Sequence, residues 1–277
     1  MSTHTNSFTG KELEGNTARE LAVLPGVLHL NYCSITLSAA QALASSSAET
    51  IEFTELPLMN DACVSLVLEM AEHVKLSIGR IWGASEYLGR MERMNLILLS
   101  RYAESVNLEG ISDLSHQEAD VLSAFQGHQL LLHLDRLDEV TAAHLSRVRT
   151  ELLMLEVPRL CDDAATALSR SLASEELQIS VSEDSVSVKA ADELSQYGGH
   201  ALSIELGIEP SPDILRMLAQ FTGHLRITVP RLTAEAAMAV GNSNGTLELH
   251  CETPTPDIRQ ILLNSKREIT NLDELTG

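Results

Sequence analysis

Three consecutive stretches between residues 106 and 168 decide the fold: VNLEGISDLSHQEADVL (Val106–Leu122), LHLDRLDEVTAAHLSRV (Leu132–Val148) and LLMLEVPRLCDDAATAL (Leu152–Leu168). Counted from the first residue of each, apolar side chains recur at steps 0, 2, 5, 8, 13 and 16. In the first stretch these are Val106, Leu108, Ile111, Leu114, Ala119 and Leu122; in the second Leu132, Leu134, Leu137, Val140, Leu145 and Val148. In the third they are Leu152, Met154, Val157, Leu160, Ala165 and Leu168. The opening step of two is the period of a strand buried on one face, and the closing steps of three to five suit a helix packing one stripe. Each stretch therefore predicts a strand, a turn and a helix.

The same pattern extends in both directions. Anchors fall at Leu28, Ile51, Leu76, Val106, Leu132, Leu152, Leu177, Leu202, Leu225, Leu247 and Ile269, with intervals of 23, 25, 30, 26, 20, 25, 25, 23, 22 and 22 residues. Spacings of this size are those of stacked repeats. The expected fold is an α/β repeat solenoid of about 10–11 units, with a parallel sheet on one face and helices on the other. Residues 23–277 form its single domain, and residues 1–22 form a polar arm or cap. The longest interval, after Leu76, predicts an extended helix from about residue 84 to 103 with Leu88, Met91, Leu96 and Leu99 on its stripe.

Punctuation agrees with this register. Ser115 with Glu118 spells a capping box, Ser211–Pro212 and Thr255–Pro256 place an N-cap before a first-turn proline, and Ser38, Thr141, Asp162 and Thr233 suit the same role. Gly127, Gly198, Gly223 and Gly241 follow the helical stretches, where a left-handed residue would end them.

Composition narrows the function. Nineteen Lys and Arg face 39 Asp and Glu for a net charge of -20, which disfavours nucleic acid because phosphate binding needs a basic face. Aromatics are 3% of the chain, which suits thin layers of Leu, Ile, Val and Ala better than a ring-filled core. The run Leu21–Leu30 is too short to span a bilayer. Cys33, Cys63, Cys161 and Cys251 show no zinc spacing and are expected as reduced thiols of a cytoplasmic chain.

These residues resemble the leucine-rich repeat family, in particular its bacterial variety with repeats of the form LxLxxLxxLxxxxAxxL, over residues 24–275. The resemblance implies a curved solenoid that binds other macromolecules. The chain departs from the common pattern at the fifth step, where Asn or Cys is usual. Among Cys33, Leu56, Ile81, Ile111, Leu137 and Val157 only Cys33 complies.

Chemistry leaves little trace. The sequence has no GxGxxG, GxxxxGK[ST], HExxH or GxSxG. Outward strand positions carry His29, His133 and His250, but in the first, fifth and tenth repeats. At roughly 4.8 Å per strand the nearest two are roughly 19 Å apart, too far to share an ion. No metal or cofactor is expected. Function is sought on the outward strand row, at Asn107, Glu109, Leu131, His133, Asp135, Leu153 and Leu155, with the three leucines as an apolar anchor inside a polar rim. A one-residue slip within Leu152–Leu155 would exchange the faces. The expectation is a monomeric, non-enzymatic scaffold that binds another protein. The alternative is an enzyme or enzyme activator using His133 and Asp135.

Overall fold

A computed structural model of the chain describes residues 5–32, 34–57, 61–84, 97, 100–111, 114–183, 186–242, 245–251, 255–263 and 269–270. The chain divides into two compact units, residues 1–111 with 125–130 and residues 112–124 with 131–277. In both, parallel strands alternate with helices.

The first unit opens with β1 (Thr5–Gly10) and α1 (Gly15–Ala22), then β2 (Val27–Tyr32), α2 (Leu37–Leu43), β3 (Thr50–Pro57), α3 (Asp61–Met70), β4 (Lys75–Ala84) and β5 (Ala103–Ile111). Residues 5–22, set apart in the sequence as an arm or cap, thus make a strand and a helix, with Leu13, Ala18 and Leu21 buried. The strands lie side by side in chain order, with Leu28 opposite Ile51 and Ile51 opposite Leu76. Val106 then lies opposite Ile81 rather than Leu76, because β4 is long enough to hold two anchor positions. Most of the long helix expected between residues 84 and 103, with its stripe Leu88, Met91, Leu96 and Leu99, lies outside the described residues.

The second unit contains α4 (His116–Leu122), the last four residues of β6 (Gln129–Leu134), α5 (Glu139–Leu145), β7 (Leu152–Val157), α6 (Asp162–Leu168), β8 (Glu176–Val181) and α7 (Val188–Ser195). It continues through β9 (Ala201–Leu206), α8 (Pro212–Leu218), β10 (His224–Val229), α9 (Ala234–Val240), β11 (Thr246–Cys251), α10 (Pro256–Leu263) and β12 (Ile269–Thr270). From β7 to β12 one row of anchors runs straight across the sheet: Leu153, Leu177, Leu202, Leu225, Leu247 and Ile269. A second row, Leu155, Ile179, Ile204, Ile227 and Leu249, stands two residues on. The first five anchors and the whole second row are buried. Small and branched residues complete the layer from the helices, as in Ala142 with Leu145, Ala165 with Leu168, Ala191 with Leu194 and Ala237 with Val240, each pair one helical turn apart.

This ladder corrects the register of the third stretch. Leu153 and Leu155 are fully buried, whereas Leu152 and Met154 are only half-buried on the opposite face. In the second stretch Leu132, Leu134 and Leu137 are buried as expected, but Val140 is exposed. The recurring buried set is Leu130, Leu132, Leu134, Leu137, Ala142 and Leu145, matched by Leu153, Leu155, Val157, Leu160, Ala165 and Leu168. In the second stretch the inward strand residue that the sequence pattern omitted is Leu130, two residues before Leu132.

Helix starts were partly legible. Ser115 and Glu118 form the reciprocal capping box, and Ser211 and Thr233 cap α8 and α9. Thr255 accepts from the Ile258 amide at 3.4 Å. The caps expected at Ser38, Thr141 and Asp162 fall instead to Thr36, Asp138 and Cys161, and the Cys161 side chain makes no capping bond. The glycines read as left-handed stops have another cause, since Gly26 is the positive-φ glycine among the described residues. At Gly223 a Cβ would collide with the His200 carbonyl and the Phe221 ring. Gly223 is needed for close approach, not for a left-handed turn.

That collision belongs to a recurring sequence element, an aromatic followed two residues later by Gly-His: Phe125–His128, Tyr197–His200 and Phe221–His224. All three rings are buried. Within the second unit the Tyr197 and Phe221 rings stack with centroids 6.2 Å apart, and the Tyr197 hydroxyl donates to the Ala173 carbonyl at 2.7 Å. Burial first, then the charges of Glu176 and Glu175, push the Tyr197 phenol up to about 12.

Candidate binding face

With alternate strand residues committed to the core, the remainder stand on the other face of the sheet. In the second unit this row holds Leu131 and His133 on β6, then Leu152, Met154 and Glu156 on β7. It continues with Glu176, Gln178 and Ser180 on β8, Ser203 and Glu205 on β9, His224, Arg226 and Thr228 on β10, and Thr246, Glu248 and His250 on β11.

His133 lies 2.6 Å from the Glu156 carboxylate, Nδ1 to Oε2. β6 and β7 are neighbouring strands, and this contact lies on the face that also carries Leu131, Leu152 and Met154. The apolar residues of these two strands on this face are Leu131, Leu152 and Met154, all half-buried. Leu153 and Leu155, expected in it, belong to the core instead. Asp135 is exposed in the bend after β6 rather than on the strand row with His133. It lines a cleft of about 440 Å3 with Arg136, Arg159, Cys161 and Glu183.

Asn107 belongs to the first unit, on the face opposite the buried Val106 and Leu108. Its Oδ1 is buried with no hydrogen-bond partner among the described residues. The Glu109 side chain lies outside the described residues. In the same unit His29 pairs with Glu52 at 2.7 Å across β2 and β3, repeating the imidazole–carboxylate contact of His133 and Glu156.

A larger polar network, unread in the sequence, spans β8 to β11. Glu248 accepts from Arg226 Nε at 2.9 Å, from His250 Nε2 at 2.8 Å and from His224 Nε2 at 3.3 Å. Arg226 Nη1 donates to Glu176 at 3.1 Å, and the Ser203 hydroxyl donates to the same carboxylate. The Glu248 side chain is 14% exposed. Partial burial works to raise its carboxyl, but the hydrogen bonds from His250 and Arg226, the Arg226 charge and the His224 contact hold it down to about 2. The signal that could have revealed this network is register: Arg226 and Glu248 are exact partners once Leu225 and Leu247 are aligned.

The face thus presents an apolar patch beside side chains fixed by hydrogen bonds. Among the described residues no group of three His, Cys, Asp or Glu is arranged to hold a metal ion, and no helix is long and apolar enough to cross a membrane. No family model matches the chain, and no curated protein matches it either.

Proposed function

We propose that this chain is a leucine-rich-repeat-like solenoid scaffold of the cytoplasm that binds another protein through the outward strand row, without catalysing a reaction. The observation that carries the reading is the pairing of Leu131, Leu152 and Met154 with a hydrogen-bonded rim that starts at His133 and Glu156. Rigid polar groups around a small apolar patch exclude water and fix a partner's orientation. The repeat architecture supports the same reading, since stacked units make an extended face without a deep cavity.

The test is capture of partners from native lysate by the wild-type chain and by a Leu152→Ser/Met154→Ser variant. The variant should keep its fold and lose about 2 kcal/mol of binding, roughly thirtyfold in affinity. Undiminished capture by the folded variant would overturn this placement of the site.

A further inference from the structure

We infer that the segment docking on β7–β9 is a basic helix, with two lysines or arginines set opposite Glu156 and Glu205 and apolar side chains against Leu152 and Met154. The inference rests on the reading that the outward strand row binds another protein, and it gives that partner its chemistry.

Charge on this part of the face has one sign. The outward positions of β7, β8 and β9 hold three carboxylates, Glu156, Glu176 and Glu205, and no lysine or arginine. The nearest guanidinium, Arg226 on β10, is already bonded to Glu176 and Glu248. Glu156 has the His133 imidazole, whereas Glu205 is exposed and has no hydrogen-bond or ion-pair partner among the described residues.

Register fixes where that unpaired carboxylate stands. Glu156 lies opposite Ser180, and Ser180 opposite Glu205, so the two glutamates share one row two strands apart. Met154 is two residues back along β7, which puts it about 12 Å from Glu205 at the backbone. A protein interface of ordinary size covers about 800 Å2 on each side, so a partner seated on Leu152 and Met154 also covers Glu205. An uncharged partner would bury that carboxylate unpaired, and an acidic one would add repulsion. A cation opposite Glu205 removes both costs. Two strand spacings separate the glutamates by about 10 Å. Positions i and i+7 of a helix lie on one face about 10.5 Å apart, whereas same-face positions of an extended chain fall about 7 or 13 Å apart.

Fluorescence anisotropy on the full chain tests this with a synthetic helical peptide bearing two lysines seven residues apart and leucines between them, alongside its lysine-to-glutamine counterpart. The lysine peptide should bind at least about tenfold more tightly than the glutamine peptide, and Glu156→Gln/Glu205→Gln should remove at least about that advantage. Asp192→Asn/Glu235→Gln takes the same two charges from exposed sites on α7 and α9 and should change binding less than about twofold. Circular dichroism melts of both double variants check that the fold is intact. Equal weakening by the two overturns the inference, because the peptide then answers to the net charge of -20 and not to this row. Failure of wild type to bind the lysine peptide overturns it as well. If both peptides bind equally and both are lost in Leu152→Ser/Met154→Ser, the basic partner is overturned while the strand-face reading stands.

Discussion

Arg226 and Glu248 stand opposite each other on β10 and β11, and the guanidinium Nε donates to the carboxylate at 2.9 Å on the face away from the core. The same guanidinium reaches Glu176 on β8, so one side chain ties positions fifty residues apart in sequence. Few exposed ion pairs stabilise a fold much. This one is partly enclosed and receives two imidazoles as well.

Its contribution should depend on pH with a definite sign. Glu248 is held at about 2 in the folded chain, below its ordinary value of 4.5. The stabilisation is therefore present above pH 4.5 and is lost as pH falls from there toward 2. Urea unfolding at neutral pH should find Glu248→Gln less stable by on the order of 2 kcal/mol, after discount for solvent access. The gap should close steadily below the ordinary carboxylate range. An unchanged gap at low pH would show that the charge of Glu248 contributes nothing.

Facing in β7 can be checked with one substitution moved by one residue. Leu153→Asp buries an unpaired carboxylate in the anchor row and should cost about 3 to 5 kcal/mol. Leu152→Asp, on the half-buried outward row, should cost about 1 kcal/mol or less. The reverse order of urea midpoints would restore the outward placement of Leu153.

Two nearby glycines should behave differently. Gly223→Ala forces a methyl against the His200 carbonyl and the Phe221 ring and should destabilise by about 1 to 3 kcal/mol. At Gly198 a Cβ meets nothing within 4 Å, so Gly198→Ala should stay within about 0.5 kcal/mol of wild type. Equal thermal shifts for the two would contradict the close-approach account.

Helix caps offer changes of opposite sign. Ser115→Ala removes the hydroxyl that donates to the buried Glu118 carboxylate and accepts from the Glu118 amide, a loss of about 1 to 2 kcal/mol. Cys161→Ser supplies the side-chain acceptor that α6 lacks and should add about 0.5 to 1 kcal/mol. Differential scanning calorimetry reads both, and a Cys161→Ser protein no more stable than wild type would remove the cap argument for α6.

Strand and helix alternation was legible because period two and the helical stripe each draw on many residues. Leu177, Leu202, Leu225 and Leu247 needed no correction. The one inverted strand is the one where the code is degenerate: Leu152, Leu153, Met154 and Leu155 are all apolar, so hydrophobicity cannot distinguish the faces and the neighbouring strands decide. The candidate site suffered directly, since its proposed anchors were two of those four residues. His133 was found on the right face, but its partner Glu156 comes from the next strand, and sequence reading favours the nearer Asp135. Cross-strand pairs such as Arg226 with Glu248 become visible only after alignment of repeats whose lengths differ.

The in-line anchors also determine which changes of chain length the second unit can absorb. Excising residues 177–201 would bring Leu202 into the place of Leu177 beside Leu153, with every following side chain facing as before. Losing a single residue within a strand would instead turn the remainder of that strand over and send its leucines into water. Growth and shrinkage in this unit are therefore tolerated by whole repeats, while indels of one or two residues are confined to the loops between strand and helix.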